Sequence, residues 1–232
     1  MLNIELLEKS YGEFQFLVQK LLINEGEVVG LVGNNGAGKT TFLKLITDLV
    51  LSKKGSVSIF GFNVGINEEW KKDTSVYLDE DFLIPYLKPI EYLLLLKTLK
   101  NLNQESFDSF LREIEDFCGD LIKSNKYLSE LSKGNRQKIG ISGALLGNSR
   151  LLILDEPFSN LDPSSSIFLS NYLVQKRKSK GNLITIISSH NINQLTIFSS
   201  RIILFDDGKI VLDKTNLSNI EQDLNLFFSK KQ

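Results

Sequence analysis

The chain has 232 residues, 42% hydrophobic and 24% charged, with a formal net charge of −1. That length buries a sizeable core in one domain, and the near-neutral balance excludes a global field that would draw the protein to nucleic acid or to an anionic membrane. Cys118 is the only cysteine, which excludes a disulfide framework or a cysteine-built zinc site within one chain and fits a reducing cytosol.

The first residues, MLNIELLEKSYG, lack the basic start and apolar run of a signal peptide. NIELLEKS and EFQFLVQKLLI alternate as strands do, with NEGE as the turn that follows. VVGLV is a short apolar strand. A glycine-rich loop and a helical pattern, TTFLKLITDLV, come next, and GSVSIFGF reads as a further strand. From Asp81 to Gly147 helical periods dominate, in PIEYLLLLKTLK, SFDSFLREIEDFC and SKGNRQKIGISGALL. The pattern then alternates: LLILDEP as strand, SSSIFLSNYLVQKRKSK as helix, NLITIISSH as strand, INQLTIFS as helix, and SRIILFDDGKIVL as strand, turn and strand. Such alternation predicts an α/β fold with a mainly parallel sheet covered on both faces, N-terminal antiparallel strands and an inserted helical subdomain. The expected division is a single domain: a core of residues 1–80 and 148–213, a helical subdomain over 81–147, and a C-terminal helix over 214–232. For that last helix, Ser218 and Glu221 form a capping-box pattern, and Leu217, Ile220, Leu224 and Phe227 form one apolar stripe. The longest apolar runs, YLLLLKTL and NLITII, are too short to span a bilayer.

Three segments carry chemistry. GNNGAGKT, Gly33 to Thr40, matches the phosphate-loop pattern between a strand and a helix. The backbone of Gly33, Asn34, Asn35, Gly36, Ala37 and Gly38 would wrap phosphates. Lys39 would reach the terminal phosphates, and the Thr40 hydroxyl, followed by Thr41, would ligate Mg²⁺. The loop alone does not choose between a kinase, a GTPase and a motor. LLILDEP puts two carboxylates at the end of a buried strand, where charge needs a cation. Asp155 fits as a Mg²⁺ partner, and Glu156 as the group that polarises an attacking water, which favours hydrolysis over transfer to a bound acceptor. His190, the only histidine, ends IISSH at a strand end where ligands collect in such sheets, and is placed to contact the γ-phosphate; the plainer alternative is a capping histidine. Finally, LSKGNRQK (131–138) reads as a helix start capped by Ser132, an anion site without an evident anion.

The phosphate loop, LSKGNRQK, LLILDEP, SNLD and SSH occur in that order. Over about residues 3 to 212 the chain resembles the nucleotide-binding subunit of an ABC transporter. The resemblance implies an ATPase using ATP and Mg²⁺, two ATP molecules sandwiched in a head-to-tail dimer with a second copy or a related subunit, and a separate membrane permease that holds the protein on the inner face of the cell membrane. It implies that Ser132, Lys133, Gly134 and Asn135 contact the ATP held by the partner chain, and that Ser159, Asn160, Leu161 and Asp162 form a loop communicating between the two sites. Tyr11 stands where the family stacks an aromatic on adenine; edge packing is the alternative. The signature departs from the usual L-S-G-G-Q at Lys133 and Asn135, which is similar to a branch rich in exporters. Lys133 would meet a phosphate or plain solvent. The family's metal-binding glutamine is replaced by Glu80, between Asp79 and Asp81. The short run after KIVLD, unlike sugar importers with their appended regulatory domain, also favours export. The second reading, a non-transport ABC ATPase acting as a switch on nucleic acid or ribosomes, lacks the coiled-coil insertion, second nucleotide domain or basic patch it would need, so no nucleic-acid partner is expected.

Overall fold

The computed structural model describes residues 1–215 together with Leu217, Ser218, Ile220 and Phe227. In chain order, β1 (Leu2–Tyr11) and β2 (Phe14–Ile23) form a hairpin, β3 (Val28–Val32) leads into α1 (Lys39–Ile46), and β4 (Lys54–Ile59) and β5 (Phe62–Asn63) form a second hairpin. A 3₁₀ turn precedes β6 (Thr74–Tyr77). The helices α2 (Pro89–Leu99), α3 (Gln104–Glu113), α4 (Glu115–Cys118) and α5 (Lys133–Leu145) follow. The chain then returns through β7 (Leu151–Leu154), α6 (Pro163–Ser179), β8 (Ile184–Ser188), α7 (Ile192–Thr196), β9 (Arg201–Asp206) and β10 (Lys209–Lys214).

The described residues form one ten-stranded sheet in the order β5-β4-β1-β2-β10-β9-β3-β8-β7-β6. The run β9-β3-β8-β7-β6 is parallel throughout, whereas β5-β4-β1-β2 and β10-β9 are antiparallel. A parallel strand covered on both faces needs apolar residues at every position, and β3, β7 and β8 are buried along their whole length. Period 2 sorts those residues between two cores. Val28, Val32, Leu152, Leu154 and Ile187 face the helical side with α2–α6. Val29, Leu31, Leu151, Ile153 and Ile186 face α1 and the antiparallel strands.

Several elements end sooner than their patterns predict. α1 stops at Ile46 rather than running to Val50, because Asp48 takes a φ of 57° and the N–H groups of Leu49 and Val50 both close onto the Lys44 carbonyl. The expected strand GSVSIFGF folds back on itself at Phe60 (φ 53°) and Gly61 (φ 88°). SFDSFLREIEDFC breaks into α3 and α4 at the buried Ile114. Of the predicted C-terminal helix, Ile220 is buried in the helical-side core and Leu217 and Phe227 pack against it. Glu221, Leu224 and the rest of that expected helix lie outside the described residues.

Candidate active site

Three neighbouring strands, β3, β8 and β7, end on the same edge. Their C-terminal ends carry the glycine-rich loop, Ser188–His190 and Asp155–Glu156, so topology gathers segments more than a hundred residues apart. The loop bends out of β3 at Gly33, whose φ is 153° and where a Cβ would stand 2.5 Å from the Phe205 carbonyl. Only glycine fits there. Gly38 (φ 109°) starts α1 without a side-chain cap, which leaves the first N–H groups of the helix for a ligand.

A cavity of about 430 Å³ opens over this loop. Asn34, Asn35, Gly36, Ala37, Gly38, Lys39, Thr40 and Thr41 line it, with Tyr11, Phe14 and Glu156. The Lys39 ammonium is buried, donates to the Gly33 carbonyl at 2.6 Å and lies 3.4 Å from Glu156 Oε1. Thr40 Oγ1 donates to Asp155 Oδ2 at 2.6 Å. Ser188 Oγ donates to the other Asp155 oxygen and accepts the Glu156 backbone N–H at 2.7 Å, tying the Asp155 carboxylate and the Glu156 backbone to β8. Burial pushes the Asp155 carboxyl up, against the Ser188 and Thr40 hydrogen bonds, which pull it down. A desolvated carboxylate beside a threonine hydroxyl is a hard-oxygen pair that fits a magnesium ion, which takes one or two carboxylates and completes its shell from phosphates and water.

Glu156 follows Asp155 with a φ of 44°. That backbone turn sends its side chain back over the loop. Oε2 accepts from the His190 N–H and lies 2.9 Å from His190 Nδ1, and Oε1 is buried with no hydrogen bond among the described residues. A carboxylate held on one oxygen by His190, with the other facing the Lys39 ammonium without a hydrogen bond, is arranged to take a proton from a water in the cavity.

The predicted signature residues sit elsewhere. Ser132 caps α5, accepting from the Asn135 N–H at 3.3 Å, and Ser132 and Lys133 are exposed. None of Ser132, Lys133, Gly134 or Asn135 lines the cavity of the chain's own phosphate loop. Gly134 instead packs on the Ser159–Asp162 loop, where a Cβ would stand 2.6 Å from the Asn160 carbonyl. Asp162 caps α6 and pairs with Lys138 at 2.9 Å, and the surrounding donors hold its carboxyl well below the usual range. Glu80 is nearly buried and pairs with Lys133 at 3.1 Å, while Asp79 caps the turn at the Asp81 N–H. In this state Glu80 faces the signature lysine and does not line the phosphate-loop cavity.

Sequence reasoning missed three residues. Phe14 lines the cavity beside Tyr11, its partner across the β1–β2 turn. Ser188 bridges the Asp155 carboxylate and the Glu156 backbone N–H. Gln137, buried in the second turn of α5, donates to the Pro157 carbonyl at 2.7 Å and the Glu156 carbonyl at 3.3 Å and accepts from Asn160 Nδ2 at 2.9 Å. One amide thus fixes the acidic segment and the following loop to the signature helix. A glutamine in the second turn of an otherwise basic helix start is the only signal the sequence held. Gln137→Ala leaves those carbonyls unpaired, a loss of about 1–3 kcal/mol. Thermal unfolding should show that loss, and turnover should drop more than ATP affinity.

A family model described as ABC transporter matches residues 19–159. The chain belongs to the ABC transporter family. It is the ATP-binding part of such a transporter, an ATPase that powers transport across a membrane. The uncharacterized ABC transporter ATP-binding protein YdbJ of Bacillus subtilis is 31% identical over 212 residues, 90% of this chain and 68% of that one. The lantibiotic transport ATP-binding protein SrtF of Streptococcus pyogenes is 31% identical over the full length of both. The glucosylceramide transporter ABCA12 of Homo sapiens is also 31% identical over 86% of this chain, which spans 8% of it. Among solved structures, the dimeric post-hydrolysis state of the ATP-binding cassette MJ0796 bound to ADP and Pi shares the fold, with a TM-score of 0.80 at 24% identity, covering 93% of this chain and 98% of that one. Among the described residues, no helix is long and apolar enough to cross a membrane.

Proposed function

We propose that this ATPase works as a head-to-tail pair, with a second copy or a related subunit, on a separate permease at the inner face of the cell membrane, and that it drives export. The observation that carries the reading is the split between two half-sites. Lys39 and Glu156 line one cavity, with Asp155 on Thr40 and His190 on Glu156 directly behind it, and the capped helix start at Ser132 is exposed outside it. A helix start with free N–H groups binds an anion, and a second chain facing this one supplies it. The Lys133 signature, similar to the exporter-rich branch, supports the direction. SrtF, with its full-length likeness and its name in lantibiotic transport, fits that reading.

Within each composite site, the loop N–H groups and Lys39 hold the terminal phosphates, and Tyr11 and Phe14 flank the base. Thr40 and Asp155 would hold Mg²⁺, with Glu80 as a further ligand once it leaves Lys133, and the ion would supply positive charge against the phosphates. Glu156, oriented by His190, takes the proton of a water as its oxygen bonds to the γ-phosphorus and the bond to the β-phosphate oxygen breaks. Ser132 and Gly134 complete the site from the facing chain, and residues 159–162 relay between the sites. The helical subdomain, 81–147, carries the signature.

Ser132→Arg tests the split directly. The variant should bind ATP as the parent does and lose most of its turnover, since the change lies outside its own cavity. Turnover unaffected by Ser132→Arg, and independent of protein concentration, would count against a shared site.

Glu80→Gln should keep most of the Mg²⁺-dependent turnover, because an amide oxygen also ligates the ion, whereas Glu80→Ala should lower it several-fold. Steady-state ATPase rates across a Mg²⁺ titration measure both. A normal Glu80→Ala beside a defective Asp79→Ala or Asp81→Ala would move the role to a neighbour.

The permease should dock at FLIPYL, residues 82–87. Leu83 is buried, and the carbonyls of Pro85 and Leu87 accept from Ser129 and Leu128, so the loop is pinned. Phe82 and Tyr86 nevertheless stand 53% and 72% exposed, an apolar pair on a fixed frame. Cysteines at 82 and 86 should cross-link to the membrane partner, and cross-links found only from other surfaces would exclude this loop.

A further inference from the structure

A second cavity, of about 490 Å³, opens between α3, the end of α5 and α6 and shares no lining residue with the phosphate-loop cavity. Leu102 and Phe110 form its apolar wall, and Tyr172, Lys176 and Lys180 stand opposite. Two of the lysines gathered here have evident structural work. Lys176 Nζ donates to the Leu145 carbonyl at 2.7 Å and Lys100 Nζ to the Leu146 carbonyl at 2.7 Å, which closes the C-terminus of α5. Lys180 has none: its Nζ is buried and has no hydrogen-bond partner among the described residues. A buried ammonium without a partner is costly. The carboxylate beside the group, Glu113, is exposed and accepts from the Tyr172 hydroxyl at 3.2 Å. Lys176 and Lys180 therefore share the cavity with one carboxylate. Burial, and the charges of the neighbouring lysines, push Lys176 down to about 7 and Lys100 down to about 8, and burial lowers Lys180 as well.

We propose that this cavity binds a small organic anion, its phosphate or carboxylate held by Lys180 and Lys176 and its apolar part against Leu102 and Phe110. The lysine pair sets the sign of the ligand's charge, the unbonded Lys180 Nζ sets its anchor, and the cavity volume suits a small molecule. Nothing in the ATP reaction uses any of these groups.

Phenyl phosphate is the probe, titrated by calorimetry into the full chain loaded with Mg²⁺ and a nonhydrolysable ATP analogue, which fills the phosphate loop. One additional site is expected. Lys180→Met, which keeps the apolar stem, should weaken it at least tenfold, and Lys180→Arg should retain it. Affinity should fall from pH 7 to pH 9. Lys176 and the neighbouring Lys100 lose charge over that range, and Tyr172, whose hydroxyl burial pushes up, stays neutral. Lys39→Ala, without nucleotide, should keep the site. Three results each overturn the proposal: no site beyond the nucleotide, equal binding by Lys180→Met, or loss of the site in Lys39→Ala.

Discussion

Glu156→Gln should bind ATP as tightly as the parent, lose turnover by about 10²–10⁴-fold and accumulate as an ATP-bound dimer. The amide preserves the shape of the side chain between Lys39 and His190 but cannot accept the proton of the attacking water. ATP then acts as lasting glue between two chains. Light scattering with ATP and Mg²⁺ would read the doubled mass, and adding Ser132→Arg should return the protein to monomer, because a long cation would stand where the facing phosphate must sit. A Glu156→Gln chain that binds ATP tightly and stays monomeric at high concentration contradicts a homodimer. It would leave either a pairing with a related subunit or an ATPase that works by another geometry.

Lys39→Ala should weaken ATP binding at least about 100-fold, the scale of losing one buried charged donor over a phosphate. Two effects add. The terminal phosphates lose their buried ammonium, and Glu156 Oε1, which lies 3.4 Å from Lys39 Nζ, loses its only nearby cation among the described residues. Like charges then face each other across the cavity. Lys39→Met, which restores most of the side-chain volume without the charge, should be as defective as Lys39→Ala. Nucleotide titration separates the cases: affinity rescued by Met would assign the loss to packing, and undiminished affinity in both would place the nucleotide elsewhere.

Much of this protein is legible in its sequence, for a local reason. The phosphate loop runs from Gly33 to Thr41, the acidic pair is adjacent, and Ser132 caps a helix three residues away, so each signal lies within a few bonds of its own structure. The expected strands match the observed ones where burial is complete, as in VVGLV and LLIL, because a strand covered on both faces must be apolar throughout. The expected elements overrun where one positive φ turns the chain, at Asp48, Phe60 and Gly61, since apolar patterning continues through such turns. What only the tertiary structure decided depends on contacts between distant residues. Ser188 meets Asp155 across 33 positions, Gln137 holds Pro157 across 20, and Thr40 reaches Asp155 across 115. Glu80 faces Lys133, and Lys176 and Lys180 crowd one cavity with Glu113. Sequence states which groups a chain owns. Which charges share a low-dielectric space follows from the order of strands in the sheet and from how the helices pack on it.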